Sequence, residues 1–150
     1  MKLSDIILTT DELHLLITIN AITEFDKENP GNIPFGGIHE IVVSNGIMKA
    51  DEFDKNANSL MDCGLIDEDY FINEDGKRYI SVFLNELDKK IEDNNATCEI
   101  SCNKIDLNVL LEKIKETAEN INWNEVRDDL AKWTGIVASL VKIMQGVGLL

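Results

Sequence analysis

The sequence predicts a mainly α-helical protein: a helical body with one short two-stranded hairpin, followed by a C-terminal amphipathic helical hairpin. Apolar residues recur every three or four positions through most of the chain, which is the period of an amphipathic helix. The 150 residues include only 2 Pro and 9 Gly, and both Pro lie with three of the Gly in one break, Asp26–Gly37. Hydrophobic residues make up 44% and charged residues 28%, a composition typical of a packed globular protein.

One helix is predicted on each side of that break. Residues 11–25 have apolar side chains at near-helical spacing, with Thr10 as the expected N-cap and acidic residues in the first turn, where they favour the helix dipole. After the break, residues 37–47 form a short apolar segment that ends at Asn45-Gly46, a pair suited to a helix C-cap.

A third helix and a short hairpin follow. Residues 49–63 carry apolar side chains three and four positions apart, and Gly64 ends the helix. Two very short strands, Leu65-Ile66 and Tyr70–Ile72, are expected around the acidic turn Asp67–Asp69.

A long helix is predicted next, with Asn73 as its N-cap. Its apolar stripe continues to Ile91. An alternative places a hairpin turn at Asp75-Gly76, between residues 70–73 and 78–82. The length of the stripe favours the helix.

The C-terminal third differs from the body, so we divide the chain into residues 1–93, a polar linker at 94–105 and a helical segment at 106–150. Within that segment, apolar stripes at 107–121 and 126–144 predict two helices, and residues 135–150 are almost all apolar. The tail is too short and too interrupted for a transmembrane span, which needs about 20 apolar residues, so we expect the body, a second copy or a protein partner to cover it. The residues expected to bind that partner are Trp133, Val137, Leu140, Val141 and Met144.

The order of elements in residues 10–93 resembles the winged-helix superfamily, specifically the winged helix-turn-helix of MarR-like and PadR-like proteins. The resemblance rests on Leu60, on Gly64-Leu65-Ile66 and on Tyr70–Gly76, where Asn73 stands at a position usually held by Thr. It implies a DNA-binding protein whose third helix enters the major groove, dimerised through the C-terminal helices. The residues that would face DNA are Lys49, Lys55, Asn56, Asn58, Lys77 and Arg78.

Charge argues against that function. The chain has 14 basic and 28 acidic side chains, a net charge of −14. The third helix with its N-cap has two lysines against four carboxylates, and the following turn adds Asp67–Asp69. Because phosphate backbones are bound by Lys and Arg, we expect a non-enzymatic module on a winged-helix scaffold that engages a protein partner as a regulator or inhibitor. A DNA-binding regulator remains the alternative.

No catalytic, metal or cofactor motif stands out. His14 and His39 are expected to be packed or surface imidazoles rather than catalytic bases. Cys98 and Cys102 are four apart and could bind a metal with His39 or Cys63, but a fourth ligand is missing. Three cysteines and an N-terminus without a signal peptide predict a cytoplasmic protein.

Overall fold

Five α-helices make up most of the residues that the structure, a computed structural model, describes: 3–28, 37–92 and 105–120. The prediction of a mainly helical chain is confirmed. The helices are α1 (Thr10–Glu28), α2 (Gly37–Ser44), α3 (Ala50–Asp62), α4 (Glu74–Glu92) and α5 (Leu107–Asn120), with a single 3-10 turn at Leu3–Asp5 before α1.

The start of α1 is fixed by a capping box one residue earlier than expected. The Glu12 backbone N–H donates to Thr9 Oγ1 at 3.2 Å, and the Thr9 N–H donates to Glu12 Oε1 at 2.8 Å. The prediction of Thr10 as the N-cap is therefore wrong, because only Thr9 has a glutamate three residues later to complete the box. The Thr10 hydroxyl instead accepts a hydrogen bond from the backbone N–H of Asp106 at 2.9 Å.

Helices α2 and α3 end in the same way. Gly46 and Gly64 have φ of +70° and +75°, a left-handed conformation that glycine adopts without steric cost. The amides of Ile47 and Leu65 each donate to the carbonyl five residues earlier, at 3.0 Å, which completes a Schellman motif. The expected end of α2 at Asn45-Gly46 is confirmed, and each motif turns an apolar residue back toward the core.

The predicted hairpin is reduced to one antiparallel bridge, between Ile66 and Ile72, in the described part of the chain. Asp67 folds the intervening residues into a tight turn, because its Oδ1 accepts backbone N–H groups of two later residues at 2.9 and 3.0 Å. The α3 cap ends directly before the bridge, and Asn73 begins the α4 cap directly after it. No residues are left to extend the pairing, so two strands do not form there.

Asn73 caps α4 as predicted. Its Oδ1 accepts the backbone N–H of Gly76 at 2.9 Å, and its Nδ2 donates to the carbonyl of Gly64 at 2.8 Å. The structure therefore has a helix from Glu74 onward, not the alternative turn at Asp75-Gly76.

Helix α1 lies at the centre of the packing, in contact with α3, α4 and α5. Because neighbours cover it on several sides, its residues 12–19 are all buried. Leu110 and Ile114 of α5 belong to the same core as the body, so the first helix of segment 106–150 packs against α1. The second predicted helix of that segment and most of the 94–105 linker lie outside the described residues.

Candidate functional site

The exposed side of α3 is acidic. Four carboxylates on this helix are exposed, against the single exposed lysine Lys55. The turn after α3 adds three more exposed acidic residues. We call this set the acidic face: Asp51, Glu52, Asp54, Asp62, Asp67, Glu68 and Asp69.

Aromatic contacts hold the acidic turn against α3. The Tyr70 ring meets the Phe53 ring edge to face, with centroids 5.0 Å apart, and His39 of α2 meets Phe53 in the same way at 4.9 Å. Edge-to-face pairs of this kind are favourable beyond simple burial. The Nε2 atom of His39 also lies 4.0 Å from Oδ1 of Asp54. The two parts of the acidic face therefore belong to one surface.

Five of the six residues predicted to face DNA have some exposure. Lys49, Lys55, Asn58 and Arg78 are exposed, and Lys77 is half-buried.

The sixth, Asn56, is buried, and its assignment as a DNA-facing residue is wrong. Its side-chain amide points inward and donates to the Met48 sulfur at 3.6 Å. The reason is register: Asn56 shares the inward stripe of α3 with Phe53, Ala57 and Leu60, which are fully buried. That spacing of three and four residues was visible in the sequence.

The carboxylate of Glu12 joins α1 to α3. While Oε1 closes the α1 capping box, Oε2 accepts the hydroxyl hydrogen of Ser59. Burial raises the pKa of the nearby Cys63 thiol, and the carboxylates of Glu12 and Asp62 raise it further. A thiol held protonated in this way is a poor nucleophile and a poor metal ligand.

A second feature lies on the opposite side of α1, where His14 meets α5. His14 is 2% exposed, and its Nε2 lies 2.6 Å from Oγ1 of Thr117. The Thr117 hydroxyl donates its only hydrogen to the Lys113 carbonyl at 2.8 Å, so His14 Nε2–H must be the donor to Thr117. The His14 Nδ1 atom then carries a lone pair, and it has no hydrogen-bond partner among the described residues.

His14 is neutral near pH 7. Its pKa is lowered from 6.5 to about 4, chiefly by burial and then by the Lys113 ammonium, although the Asp11 carboxylate and a backbone hydrogen bond to Lys113 act to raise it. Lys113 and Asp11 are themselves an ion pair, with Nζ and Oδ1 3.0 Å apart.

A small cavity adjoins this histidine. It has a volume of about 40 Å³ and is partly open to solvent. The residues that line it are His14, Gly46, Ile47, Lys113, Glu116 and Thr117. The sequence suggested a packed or surface imidazole at this position but gave no sign of the cavity.

The other candidate residues are not brought into these sites. Trp133, Val137, Leu140, Val141 and Met144, with Cys98 and Cys102, lie outside the described residues. Across the three described ranges, no three His, Cys, Asp or Glu side chains converge to form a metal site. None of the helices in those ranges combines the length and apolar character needed to cross a membrane.

Comparison with known proteins adds no relatives. No protein-family model, curated protein or solved structure matches this chain.

Proposed function

We propose that this chain is a non-enzymatic interaction module that presents its acidic face to a basic protein partner. The observation that carries the proposal is the exposure of four carboxylates on α3, against one lysine. A compact negative surface of this kind speeds encounter with a cationic partner and repels polyanions.

The arrangement of helices supports a winged-helix scaffold as part of the proposal. Helices α2 and α3 are consecutive, are joined by the short turn at residues 45–49 and contact each other, and α3 also contacts α1. In a helix-turn-helix protein the second helix of such a pair is the one that meets the target. On a winged-helix scaffold that helix would be α3, and the acidic face would then lie where DNA-binding winged-helix proteins contact DNA.

DNA binding is the second candidate, and the exposed Lys49, Lys55, Asn58 and Arg78 are what favour it. Three of these residues, Lys49, Lys55 and Arg78, are cations. Together with the half-buried Lys77 they are outnumbered by the seven carboxylates of the acidic face. Neutralising phosphates requires a local excess of positive charge, which this balance does not provide. The protein partner is therefore the better supported target.

Self-association through the C-terminal segment completes the proposal. The apolar residues Trp133, Val137, Leu140, Val141 and Met144 are expected to bind a second copy or the same partner, because a stripe of this size needs a cover. The solution mass of the full chain, compared with that of an L140D/V141D variant, tests this part separately.

The test of the acidic face is a binding experiment with two labelled probes at low salt. We expect a fluorescent ten-lysine peptide to bind, with affinity falling as salt rises, and a 20-base-pair duplex of random sequence not to bind. The variant Asp54→Asn/Asp62→Asn should weaken peptide binding by about two- to thirtyfold, since each exposed charge pair contributes about 0.2–1 kcal/mol.

A matched variant separates local from overall charge. Asp5→Asn/Glu112→Gln also removes two exposed carboxylates, but from residues outside the acidic face, and should change peptide affinity by less than about twofold. Equal losses in the two variants would show that only net charge matters. Salt-sensitive binding of the duplex by the unmodified chain would favour the DNA-binding regulator instead.

A further inference from the structure

Helix α5 docks on α1 through polar contacts of two kinds. The ion pair between Lys113 and Asp11 is partly exposed to solvent, and exposed pairs contribute little to stability. The hydrogen bond from His14 Nε2–H to the Thr117 hydroxyl is buried, so it depends on how well the imidazole tolerates burial. The docking of α5 is therefore more sensitive to the state of His14 than to the ion pair.

His14 suits this interface as a neutral imidazole. Its Nε2–H uses the Thr117 hydroxyl as acceptor, whereas Nδ1 is buried and has no hydrogen-bond partner among the described residues. Protonation turns Nδ1 into a second donor, and a buried donor without an acceptor is unfavourable. The charged ring would also lose its hydration, because His14 is almost fully buried.

The charged groups that face the ring do not offset these costs. Lys113 of α5 repels an imidazolium and Asp11 of α1 attracts it, and the lysine has the larger effect on the pKa of His14. Glu116 of α5 lines the same cavity as the ring but is exposed, so water and salt screen its charge. The turn after α2 contributes two lining residues, neither of which ionises. Protonation of His14 and docking of α5 therefore oppose each other.

We propose that α5 is an acid-releasable helix: uptake of a proton by His14 detaches α5 from α1, while α1, α3 and α4 stay packed. Helix α1 contacts α3 and α4 as well as α5, so the body keeps these contacts when α5 leaves. Release opens Nδ1 to water, which accepts the new N–H, and exposes apolar side chains such as Leu110 and Ile114. The proposal is independent of the acidic face, which lies on α3 and the turn that follows it.

The test is hydrogen exchange of the full chain, followed by mass spectrometry at pH 7 and pH 5 and corrected for the intrinsic exchange rate at each pH. The pKa of His14 is about 4 when buried and 6.5 in its ordinary state, so the ratio of released to docked α5 should rise about twentyfold between these pH values. We expect the protection of α5 amides to fall by that factor. Protection of α3 should change by less than about twofold, because the opening is local.

Variants assign the effect to the ring and its neighbour. His14→Phe takes up no proton, so protection of α5 should be equal at pH 7 and pH 5. Lys113→Gln removes the like charge and should make the fall about two- to fivefold smaller, the effect of one partly exposed charge pair. Lys115→Gln removes an exposed lysine of α5 that does not line the cavity, and should leave the fall unchanged. If His14→Phe fails to fold, the wild-type profile and the two lysine variants still decide the matter.

Any of four results would overturn the proposal. Equal loss of protection in α3 and α5 would show that acid unfolds the whole body rather than releasing one helix. Unchanged protection of α5 between pH 7 and pH 5 would show that the histidine does not control docking. A fall that persists in His14→Phe, or that is the same in Lys113→Gln and Lys115→Gln, would assign the acid response to other groups.

Discussion

Acidification should destabilise the fold through His14. The pKa of this residue is about 4 in the folded protein and 6.5 in its ordinary state. Between these two pH values the unfolded chain binds a proton that the folded protein does not, so the free energy of unfolding falls as pH falls. The stabilisation is complete above pH 6.5 and is lost by about pH 4.

The size of this loss follows from the pKa shift. One pKa unit corresponds to about 1.4 kcal/mol, so lowering the pKa from 6.5 to about 4 makes the total loss about 3 kcal/mol. That is a large part of the 5–15 kcal/mol that typically stabilises a domain. The physical source is the burial of His14 together with the nearby Lys113 ammonium.

Urea unfolding followed by circular dichroism at several pH values between 7 and 4 measures the effect. Carboxylates also titrate in this range, so the informative quantity is the difference between wild type and His14→Phe. We expect that difference to shift by about 3 kcal/mol in favour of the variant as pH falls from 7 to 4. The other histidine, the half-exposed His39, supplies the control His39→Gln, which should keep the wild-type dependence.

A difference between wild type and His14→Phe that does not change with pH would contradict the role of His14, and so would loss of the pH dependence in His39→Gln. An NMR titration of the His14 ring gives a second measurement. A midpoint near 6.5 in the folded protein would contradict both the burial and the neutrality on which the prediction depends.

Two further predictions concern packing and charge. An added Cβ at Gly76 would lie 2.2 Å from the Leu65 carbonyl oxygen, so Gly76→Ala should lower the unfolding free energy by about 3 kcal/mol. At Gly64 an added Cβ meets open space but φ is +75°, so Gly64→Ala should lower the unfolding free energy by only about 1 kcal/mol. Equal losses of unfolding free energy in the two variants, measured by chemical denaturation, would contradict the close packing at Gly76. Charge reversal by Asp54→Lys/Asp62→Lys should weaken binding of the ten-lysine peptide more than Asp54→Asn/Asp62→Asn does, and undiminished binding, while the variant remains folded, would argue against α3 as the partner-facing helix.

The helices were largely predictable because local signals and packing agree. The third helix was expected at residues 49–63 and is observed at Ala50–Asp62, since its apolar stripe and the glycine after it mark both the buried face and the end. The start of α1 was misplaced by one residue, although Thr9 and Glu12 form a capping box that the sequence displays.

The sequence pattern did not predict how many residues would pair around the bridge between Ile66 and Ile72. Apolar pairs around an acidic turn are typical of a hairpin, but the number of paired residues depends on how closely the flanking caps approach. Here the α3 cap and Asn73 occupy the adjacent positions, so the pairing stops after one bridge.

The two candidate sites differ in how visible they were in the sequence. Exposure of the charged residues of α3 follows from the helical period, and the burial of Asn56 follows from the same period. The cavity beside His14 depends instead on Thr117, which lies 103 residues further along the chain. No local pattern indicates which helix will cover a given face of α1, so this site required the tertiary structure.

The carboxylates of the acidic face do not all support the proposed function equally. Asp51 and Glu52 lie in the first turn of α3, where acidic residues stabilise a helix through its dipole, so helix stability alone explains them. Asp62 lies in the last turn, where a negative charge is unfavourable and where this helix has no basic residue. Asp54 has only a 4.0 Å contact with His39 at an exposed position, which contributes little. Stability therefore gives no reason for Asp54 and Asp62, whereas the proposed recognition of a basic partner would give one.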